Sequence, residues 1–328
     1  MVTGTLALLR FPSWPPAIAM AGPKAWHAIL QFFAAEIRNP NTRRAYLRAA
    51  QDFFIFAARR KGGQQVETIS SLHVAAWLEA MTAAGLSAPT IKQRLAAIRM
   101  LFQALAREHI VEFNPASVVR GPKHVVKRGK TPLLSAEETR ALLDSIDTDT
   151  LVGLRDRALI AVMVYTFARI GAAIAVRIED VFTQQRRLWL RLHEKGGKRH
   201  EVPCHHALDK YLVAYLEAAE LWGDPKAFVF QTMTRSGARK GTGRQLSGRP
   251  LPQASAWQML QRRAAKAGLD TAVCNHTFRA TGITTYVKNG GTLERAATIA
   301  NHSSTRTTQL YDRRPDDVTL DEIEKIQI

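Results

Sequence analysis

The apolar residues in the N-terminal third of the chain recur every three or four positions, which is the spacing of amphipathic helices. Helices are predicted over residues 41–60 and 71–84, and glycines follow both of them. A third helix begins near Pro89, and its apolar stripe consists of Ile91, Leu95, Ile98, Phe102 and Leu105. The pattern therefore predicts a helical domain in this part of the chain.

The helical pattern breaks between residues 114 and 132, where glycine, proline and basic residues replace the apolar stripe. Such a composition is typical of a linker, and we place a domain boundary there. Ser135 and Glu138 follow with the capping-box pattern that starts a helix. Residues 1–24 are predicted to be a flexible extension, because Arg10 and the prolines after it interrupt their short apolar run.

The second half of the chain mixes helix and strand patterns. An apolar run over residues 154–165 predicts a buried helix, and the alternation over residues 188–193 predicts a strand. The two glycines at 196 and 197 predict the turn of a hairpin whose second strand covers residues 200–203. Residues 234–250 are predicted to be a long basic loop. The expected fold class is thus mainly α with a small β-sheet.

Charge is the strongest feature of the composition. The chain of 328 residues has 46 lysines and arginines against 28 aspartates and glutamates, a formal net charge of +18. Residues 38–130 alone contain 16 basic and 5 acidic side chains, so the excess is not confined to one half. A solvated basic surface without a partner is the ordinary alternative, but an excess of this size more often marks a protein that binds nucleic acid.

Several classes of protein are disfavoured by the same composition. No apolar run approaches the roughly 20 residues that a membrane-spanning helix needs. Two cysteines, Cys204 and Cys274, are too few for a disulfide framework or a zinc module, which favours a reducing cytoplasm. The adjacent residues Cys204, His205 and His206 cannot all converge on one metal ion from the end of a strand.

Six residues in the second half form a set that suits the chemistry of a phosphodiester. Arginines can neutralise the equatorial oxygens, a lysine or histidine can protonate the leaving oxygen, and a phenol can serve as the nucleophile. A metal-dependent nuclease would instead need clustered carboxylates, and the basic segments offer no convincing cluster. Each residue alone has an ordinary structural interpretation. The six are Arg169, Lys195, His276, Arg279, His302 and Tyr311.

The sequences around these six positions resemble the tyrosine recombinase (phage integrase) family, from about residue 24 onward. The segment that begins His276-Thr-Phe-Arg279 and continues through Asn301-His302 to Tyr311 is similar to the family's second conserved box. Residues 165–180 are similar to the first box, residues 194–203 to the lysine hairpin, and residues 41–46 to the start of the core-binding domain.

This resemblance implies a fold and a domain plan. A helical, SAM-like core-binding domain would cover residues 25–113, a basic linker residues 114–132, and a catalytic domain residues 133–328. Together the two domains would form a C-shaped clamp around duplex DNA. An apolar stripe in a short tail helix near residues 319–328 would dock on a neighbouring subunit, or alternatively on its own domain.

The resemblance also implies the activity. Tyr311 would be the nucleophile of a site-specific recombinase or integrase, with a covalent 3′-phosphotyrosine, a free 5′-hydroxyl and strand exchange in a tetramer on DNA. No metal or nucleotide cofactor is expected. Without DNA the protein would be monomeric or weakly associated, and an accessory recombinase or host factor is a further expected partner. The expected location is the cytoplasm, with the nucleoid DNA.

Two positions depart from the family pattern. Ala280 stands where the family often has histidine, and Asn301 stands where it usually has glycine. Neither change removes one of the six residues, but both leave the packing around Arg279 and His302 open. The identity of the leaving-group acid is open as well, with Lys195 as the best match and Lys198 as the alternative.

Direct contacts to DNA are less specific in the sequence. Basic residues on the predicted helices, in the linker and in the long loop are candidates for phosphate contacts. These candidates are Arg43, Arg44, Lys92, Arg94, Arg99, Lys127, Arg128, Arg239, Lys240 and Arg244.

Two other functions share the same residues. A type IB topoisomerase-like enzyme would relax supercoils by the same chemistry, and a catalytically silent DNA-binding protein would keep only the fold. The helical N-terminal domain and the complete set of six residues favour the recombinase. Because residues 1–24 are too short for a separate arm-binding module, we expect a simple recombinase of a mobile genetic element.

Overall fold

The computed structural model divides the chain into two compact units, residues 1–125 and residues 126–328. No helix within the described part of the chain has both the length and the apolar character that crossing a membrane requires. The residues that the structure describes are 16–126, 129–194, 197–234 and 245–312.

The first unit is helical, as the apolar spacing predicts. Asn39 caps the helix Pro40–Ala58, because the Asn39 side chain accepts hydrogen bonds from the backbone of Asn41 and Thr42. A π-helical turn, Phe32–Glu36, extends the second helix. The helices are α1 (Pro16–Met20), α2 (Gly22–Gln31), α3 (Pro40–Ala58), α4 (Ser71–Ala83) and α5 (Ala88–Arg107).

Aromatic side chains dominate the core of the first unit. Phe53 of α3 packs edge-on against Trp77 of α4 and Phe102 of α5, with ring centroids 5.1 and 6.0 Å apart. The predicted apolar stripe of α5 is buried throughout, from Ile91 at 2% exposure to Leu105 at 0%. The predicted third helix and its inward face are thus confirmed.

The start of the described chain differs from the predicted extension. Residues 16–20 and 22–24 are helical, in α1 and the first turn of α2, and Ala17 and Ile18 are buried in the core of the first unit. Prolines suggested a break, but Pro16 and Pro23 stand in the first turns of helices, where a missing N–H costs nothing. The remainder of the predicted extension, residues 1–15, lies outside the described residues.

The chain that follows α5 packs onto the first unit before the two units separate. Ala116 is fully buried, and the Arg99 side chain donates hydrogen bonds to the backbone oxygens of Ala116 and Val119. The division between the units at residues 125 and 126 lies inside the segment predicted to be a linker. The first part of that segment is therefore folded structure.

The second unit contains eight helices in its described residues, and Ser135 and Glu138 cap the first of them as the sequence predicts. Its helices are α6 (Ala136–Asp144), α7 (Leu151–Tyr165), α8 (Ile170–Ala173), α9 (His206–Ala218), α10 (Gln253–Lys266), α11 (Thr277–Lys288), α12 (Leu293–Ile299) and α13 (Thr305–Gln309).

A three-stranded antiparallel sheet contains the predicted hairpin. Strand β2 (Arg187–His193) pairs with β1 (Val181–Gln184) on one side and with β3 (Arg199–Pro203) on the other. Leu188, Leu190 and Leu192 are buried while the residues between them are more exposed, which explains the alternation in the sequence.

The predicted long loop is partly a strand, and this corrects the prediction. Residues 246–250 form β5 (Leu246–Pro250), which pairs with β4 (Gln231–Met233). Glycine, arginine and proline in β5 concealed it, because a short edge strand needs little apolar character. Residues 235–244 lie outside the described residues.

The core of the second unit forms around α7, which is buried along most of its length. Asp156 is fully buried there and is neutralised by Arg155 and by Arg263 of α10, at 2.7 and 2.8 Å. Removing one partner of such a buried set is costly, because a charge would remain unpaired. This network fixes α10 against α7. The candidate site begins where α7 ends.

Candidate active site

Arg169 lies in the short connection that leads from α7 into α8. Its backbone oxygen accepts the first hydrogen bonds of α8, from Ala172 and Ala173. Two residues earlier, Phe167 has a φ of 54°, a left-handed conformation that is strained for an aromatic residue. This turn ends α7, and the Arg169 side chain that follows it is 34% exposed.

Arg279 lies in the first turn of α11, and its side chain is only 1% exposed. One guanidinium nitrogen donates to the backbone oxygen of Phe167, and the other donates to the backbone oxygen of Ala300 at 2.6 Å. Burial, and next the charge of Arg169, lower the Arg279 pKa to about 10. It remains protonated at neutral pH and fixed by the backbone of two separate segments.

His302 follows α12 and contacts Arg279 directly. The distance from Arg279 Nη2 to His302 Nε2 is 2.6 Å, and His302 Nδ1 lies 2.9 Å from Thr308 Oγ1. Since arginine can only donate, Nε2 is the acceptor and the ring proton lies on Nδ1. Burial, followed by the charges of Arg279 and Arg169, lowers the His302 pKa to about 4. The imidazole is therefore neutral at pH 7.

Tyr311 follows α13, and its ring stacks over that of His302. The two ring centroids are 5.9 Å apart and the ring planes differ by 9°. The Tyr311 backbone oxygen accepts a hydrogen bond from Thr284 Oγ1 at 2.6 Å, and the Leu310 oxygen accepts one from Gly129 N at 2.9 Å. The second unit therefore holds its own tyrosine against its own arginine–histidine pair.

His276 occupies the N-cap position of α11, three residues before Arg279. Partial burial lowers the His276 pKa, and the charges of Arg279 and Arg169 lower it further. Both histidines of the set are thus held towards their neutral forms. The two arginines are therefore the cations that hold this part of the site.

The two lysine candidates differ in what the structure describes. Lys195, the predicted acid, lies outside the described residues. Lys198 is exposed and lines a cavity of about 190 Å³ together with Arg169, Glu194 and His302. Asn301, Ser303 and Thr307 complete the lining of this cavity. Arg169 and Lys198 give this open cavity two cationic side chains beside His302, which makes it a suitable place for a phosphate.

Glu194 is a site residue that the sequence argument missed. Its side chain is 4% exposed, and Oε2 accepts from Arg169 Nη1 at 2.6 Å. Its other oxygen lies 4.0 Å from Arg279 Nη1. The signal for it was present, because a carboxylate beside a predicted catalytic lysine is unusual in a site for an anion, but the sequence alone could not show that it is buried.

Asn301, which departs from the family pattern, has a φ of 48° in the structure. Asparagine tolerates this left-handed region better than most residues, so it can replace glycine there at modest cost. Ala280 is fully buried. With both departures present, Arg279 and His302 remain in direct contact.

The structure separates the predicted DNA contacts of the first unit into two groups. Arg44 and Lys92 are exposed. Arg43 is buried and donates to the backbone oxygen of Ile37 at 2.8 and 3.1 Å, so its role as a DNA contact is corrected to a structural one.

Two further candidates are also used within the first unit. The Arg94 side chain forms an ion pair with Asp52 at 3.1 Å, and Arg99 binds backbone oxygens after α5. Their guanidinium groups are therefore engaged by the unit's own residues. The remaining predicted contacts lie outside the described residues, and they are Lys127, Arg128, Arg239, Lys240 and Arg244.

The adjacent residues Cys204, His205 and His206 begin a helix. His205 Nδ1 accepts from the backbone of Ala207 as the cap of α9, and its ring stacks on Tyr165 with centroids 4.4 Å apart. Burial raises the Cys204 pKa to about 12, so the thiol stays protonated. Within the described ranges, no three histidine, cysteine or acidic residues are grouped so that they could hold a metal.

Comparison with known proteins identifies the family. The family model described as "Phage integrase family" matches residues 132–317, and the one described as "Phage integrase, N-terminal SAM-like domain" matches residues 31–109. Among curated relatives, tyrosine recombinase XerD of Mycobacterium tuberculosis (strain ATCC 25618 / H37Rv) is 32% identical over 236 residues, which cover 70% of each chain.

Solved structures share the fold at lower sequence identity. The XerH site-specific recombinase in a post-cleavage complex with its difH substrate superposes with a TM-score of 0.66 at 20% identity, over 92% of this chain and 87% of that one. A lambda integrase dimer bound to a COC′ core site gives a TM-score of 0.65 at 17% identity, over 97% and 88% of the two chains.

Proposed function

The chain belongs to the phage integrase family of tyrosine recombinases, and we propose that it cuts and rejoins DNA at specific sites through Tyr311. The observation that carries the assignment is the stacking of Tyr311 on His302, which itself accepts a hydrogen bond from Arg279. This arrangement brings a phenol, a half-buried histidine and a buried arginine that is held by backbone oxygens together beside Arg169.

The proposed reaction is a transesterification at phosphorus. Tyr311 Oη forms a bond to the scissile phosphorus, and the bond from phosphorus to the 5′-oxygen breaks. The phenol loses its proton to a neighbouring base, for which His276 is the candidate, because Nε2 of His302 already accepts from Arg279 and its Nδ1 carries the ring proton. The leaving oxygen takes a proton from Lys195, or from Lys198 as the alternative, and becomes a 5′-hydroxyl.

The two arginines stabilise the charge that develops on the non-bridging oxygens. A planar guanidinium presents several donors in a fixed geometry, which suits a phosphate. The fixed backbone partners of Arg279 mean that little reorganisation is needed when the phosphate binds. The 3′-phosphotyrosine keeps the energy of the broken bond, so the reverse attack by a 5′-hydroxyl needs no nucleotide and no metal.

We propose double-stranded DNA as the partner and assembly of four subunits on it. In support, a similar lambda integrase was solved as a tetramer bound to a Holliday junction, with a TM-score of 0.64. The net charge of +18 favours close association with DNA. Without DNA the protein would be monomeric or weakly associated, and it would act in the cytoplasm on the nucleoid, with an accessory recombinase or host factor as a further partner.

A mobile genetic element is the proposed source of the sites. A Tn1549 transposon integrase in complex with circular intermediate DNA is among the similar folds, with a TM-score of 0.61 over 90% of this chain. A relaxing enzyme of the type IB kind would use the same residues, and recombination between two separate sites distinguishes the two functions. Recombinase relatives named XerD favour the first.

The test is a suicide-substrate assay on nicked duplexes from the DNA that flanks the gene, with EDTA present. The wild-type protein should form an SDS-resistant adduct, and Tyr311→Phe should form none while binding DNA within about twofold of wild type, because only the nucleophilic oxygen is lost. Tyr211→Phe is the matched control, since this partly buried tyrosine of the same unit contacts Arg157 instead.

Two results would contradict the assignment. An adduct that persists in Tyr311→Phe would place the nucleophile elsewhere. Tight DNA binding without an adduct on any flanking fragment would instead indicate a silent DNA-binding protein.

A further inference from the structure

A buried carboxylate stands among the cations of a site that must receive an anion. Glu194 is 4% exposed and directs its oxygens at Arg169 and Arg279. We propose that Glu194 is a positioning residue, which holds the two arginines in the orientation that binds the scissile phosphate. This inference rests on the proposed recombinase function and names a residue that the six-residue pattern does not contain.

The burial of Glu194 shows that its charge is used. A carboxylate removed from water costs several kcal/mol unless it is paired and hydrogen-bonded. The 2.6 Å contact to Arg169 is a short, charge-assisted hydrogen bond of the strong kind. The pairing with the arginines therefore offsets the desolvation cost of burying the Glu194 carboxylate.

The backbone of Glu194 is fixed as firmly as its side chain. Its N–H donates to the oxygen of Lys198 at 2.9 Å, and its own oxygen accepts from Gly197 N at 3.2 Å. Glu194 thus closes the hairpin between β2 and β3. These contacts hold the backbone of Glu194, and the hydrogen bond to Arg169 holds its carboxylate.

The contact leaves the arginine free to bind a phosphate as well. Glu194 accepts from a single terminal nitrogen of Arg169, and a guanidinium has five N–H groups. The side chain of Arg169 is 34% exposed and lines the cavity beside His302. One edge of the guanidinium is therefore held by Glu194, and other N–H groups are available to the cavity.

Electrostatics gives the carboxylate a second role. Arg169 lowers the Arg279 pKa, and Glu194 raises it. Two arginines that converge on one site repel each other when the phosphate is absent, and a carboxylate between them offsets that repulsion. The site is then preorganised for a phosphate, and its arginines are already oriented before DNA binds.

A different role for Glu194 makes the opposite prediction. If the carboxylate merely occupied the place of the phosphate, removing its charge would strengthen DNA binding and speed cleavage together. If it positions the arginines, removing its charge slows cleavage and leaves binding nearly unchanged, because most of the affinity comes from many other phosphate contacts.

The experiment compares Glu194→Gln with wild type in the suicide-substrate assay. We expect adduct formation to slow about 100-fold, since a misplaced catalytic group costs that much, and DNA affinity to stay within about twofold. Glu194→Asp keeps the charge on a shorter side chain and should recover part of the rate. Glu201→Gln is the matched control, because Glu201 lies on β3 of the same hairpin and pairs with Arg191 at 2.9 Å.

A neutral substrate separates positioning from a general loss of structure. A methylphosphonate at the scissile position replaces one charged oxygen with a methyl group, so oriented arginines matter less there. The Glu194→Gln defect should therefore be at least about tenfold smaller on the methylphosphonate than on the phosphodiester. A variant that is merely unstable would lose the same factor on both substrates.

The outcomes separate this inference from the function on which it rests. Wild-type adducts with an equal rate in Glu194→Gln, or equal defects on both substrates, would overturn the positioning role alone. Faster cleavage in Glu194→Gln would also overturn it, in favour of a competing anion. Failure of the wild-type protein to form any adduct would overturn the proposed function and this inference together.

Discussion

The ring of His302 carries its proton on Nδ1, because Nε2 faces Arg279 and an arginine can only donate. The Thr308 hydroxyl oxygen accepts a hydrogen bond from this Nδ1–H, and the contact orients the ring. The pKa of His302 is lowered to about 4 by burial and by the two arginines. A residue that the sequence offered as a potential cation is therefore a neutral acceptor beneath Tyr311.

The lowered pKa of His302 predicts how stability depends on pH. Between about pH 6.5 and pH 4 the unfolded chain binds a proton at His302 that the folded chain does not. The free energy of unfolding should therefore fall as the pH falls through this window. His302→Gln should lose about 2 kcal/mol less than wild type between pH 7 and pH 4.5, as measured by chemical denaturation.

The control for that measurement is His27→Gln, which removes an exposed histidine of the first unit. A stability loss in His302→Gln as large as that of wild type would mean that other groups, such as His276, carry the pH dependence.

At the scale of elements, the segment that carries Tyr311 is held by three others. Thr284 of α11 binds the backbone oxygen of Tyr311, and Gly129 binds that of Leu310. The Tyr311 ring also packs against a small apolar cluster that includes Phe167 and Ile283. A short helix of five residues, α13, cannot hold its own position, so these contacts place the nucleophile.

Thr284→Val should loosen the nucleophile without altering the arginines. Valine has nearly the same shape and fills the buried space of Thr284, but it cannot donate to the Tyr311 oxygen. The loss of one buried hydrogen bond, about 1 kcal/mol, should slow adduct formation about fivefold in the suicide-substrate assay. Thr298→Val is the matched control, because the Thr298 hydroxyl binds an oxygen within its own helix, α12. An unchanged rate in Thr284→Val would show that the apolar cluster suffices.

At the scale of the whole molecule, positive charge has two uses that the sequence cannot separate. Arg43 and Arg99 bind backbone oxygens of the first unit, whereas Arg44 and Lys92 are exposed. The count of basic residues therefore overstates the number that can meet DNA in this unit. The net charge remains a guide to the kind of partner.

The two uses predict different effects of two substitutions. Lys92→Ala should lower the slope of log affinity against log salt by about 0.9 and leave the stability unchanged, because one phosphate contact is lost. Arg43→Ala should instead lower the free energy of unfolding by about 3 kcal/mol, since it removes charged hydrogen bonds from a buried position. DNA titrations at several salt concentrations and chemical denaturation measure the two effects. An unchanged salt slope in Lys92→Ala would remove Lys92 from the DNA-binding surface.

The sequence by itself determined the family, the helical first unit, the hairpin and the six-residue pattern, because these depend on local periodicity and on residue type at fixed spacing. It did not show β5 or the helix α1, since short elements depend on what they pack against. It also could not identify Glu194. Whether that carboxylate is solvated or buried between Arg169 and Arg279 depends on contacts across 25 and 85 residues of chain, and only the tertiary structure brings those together.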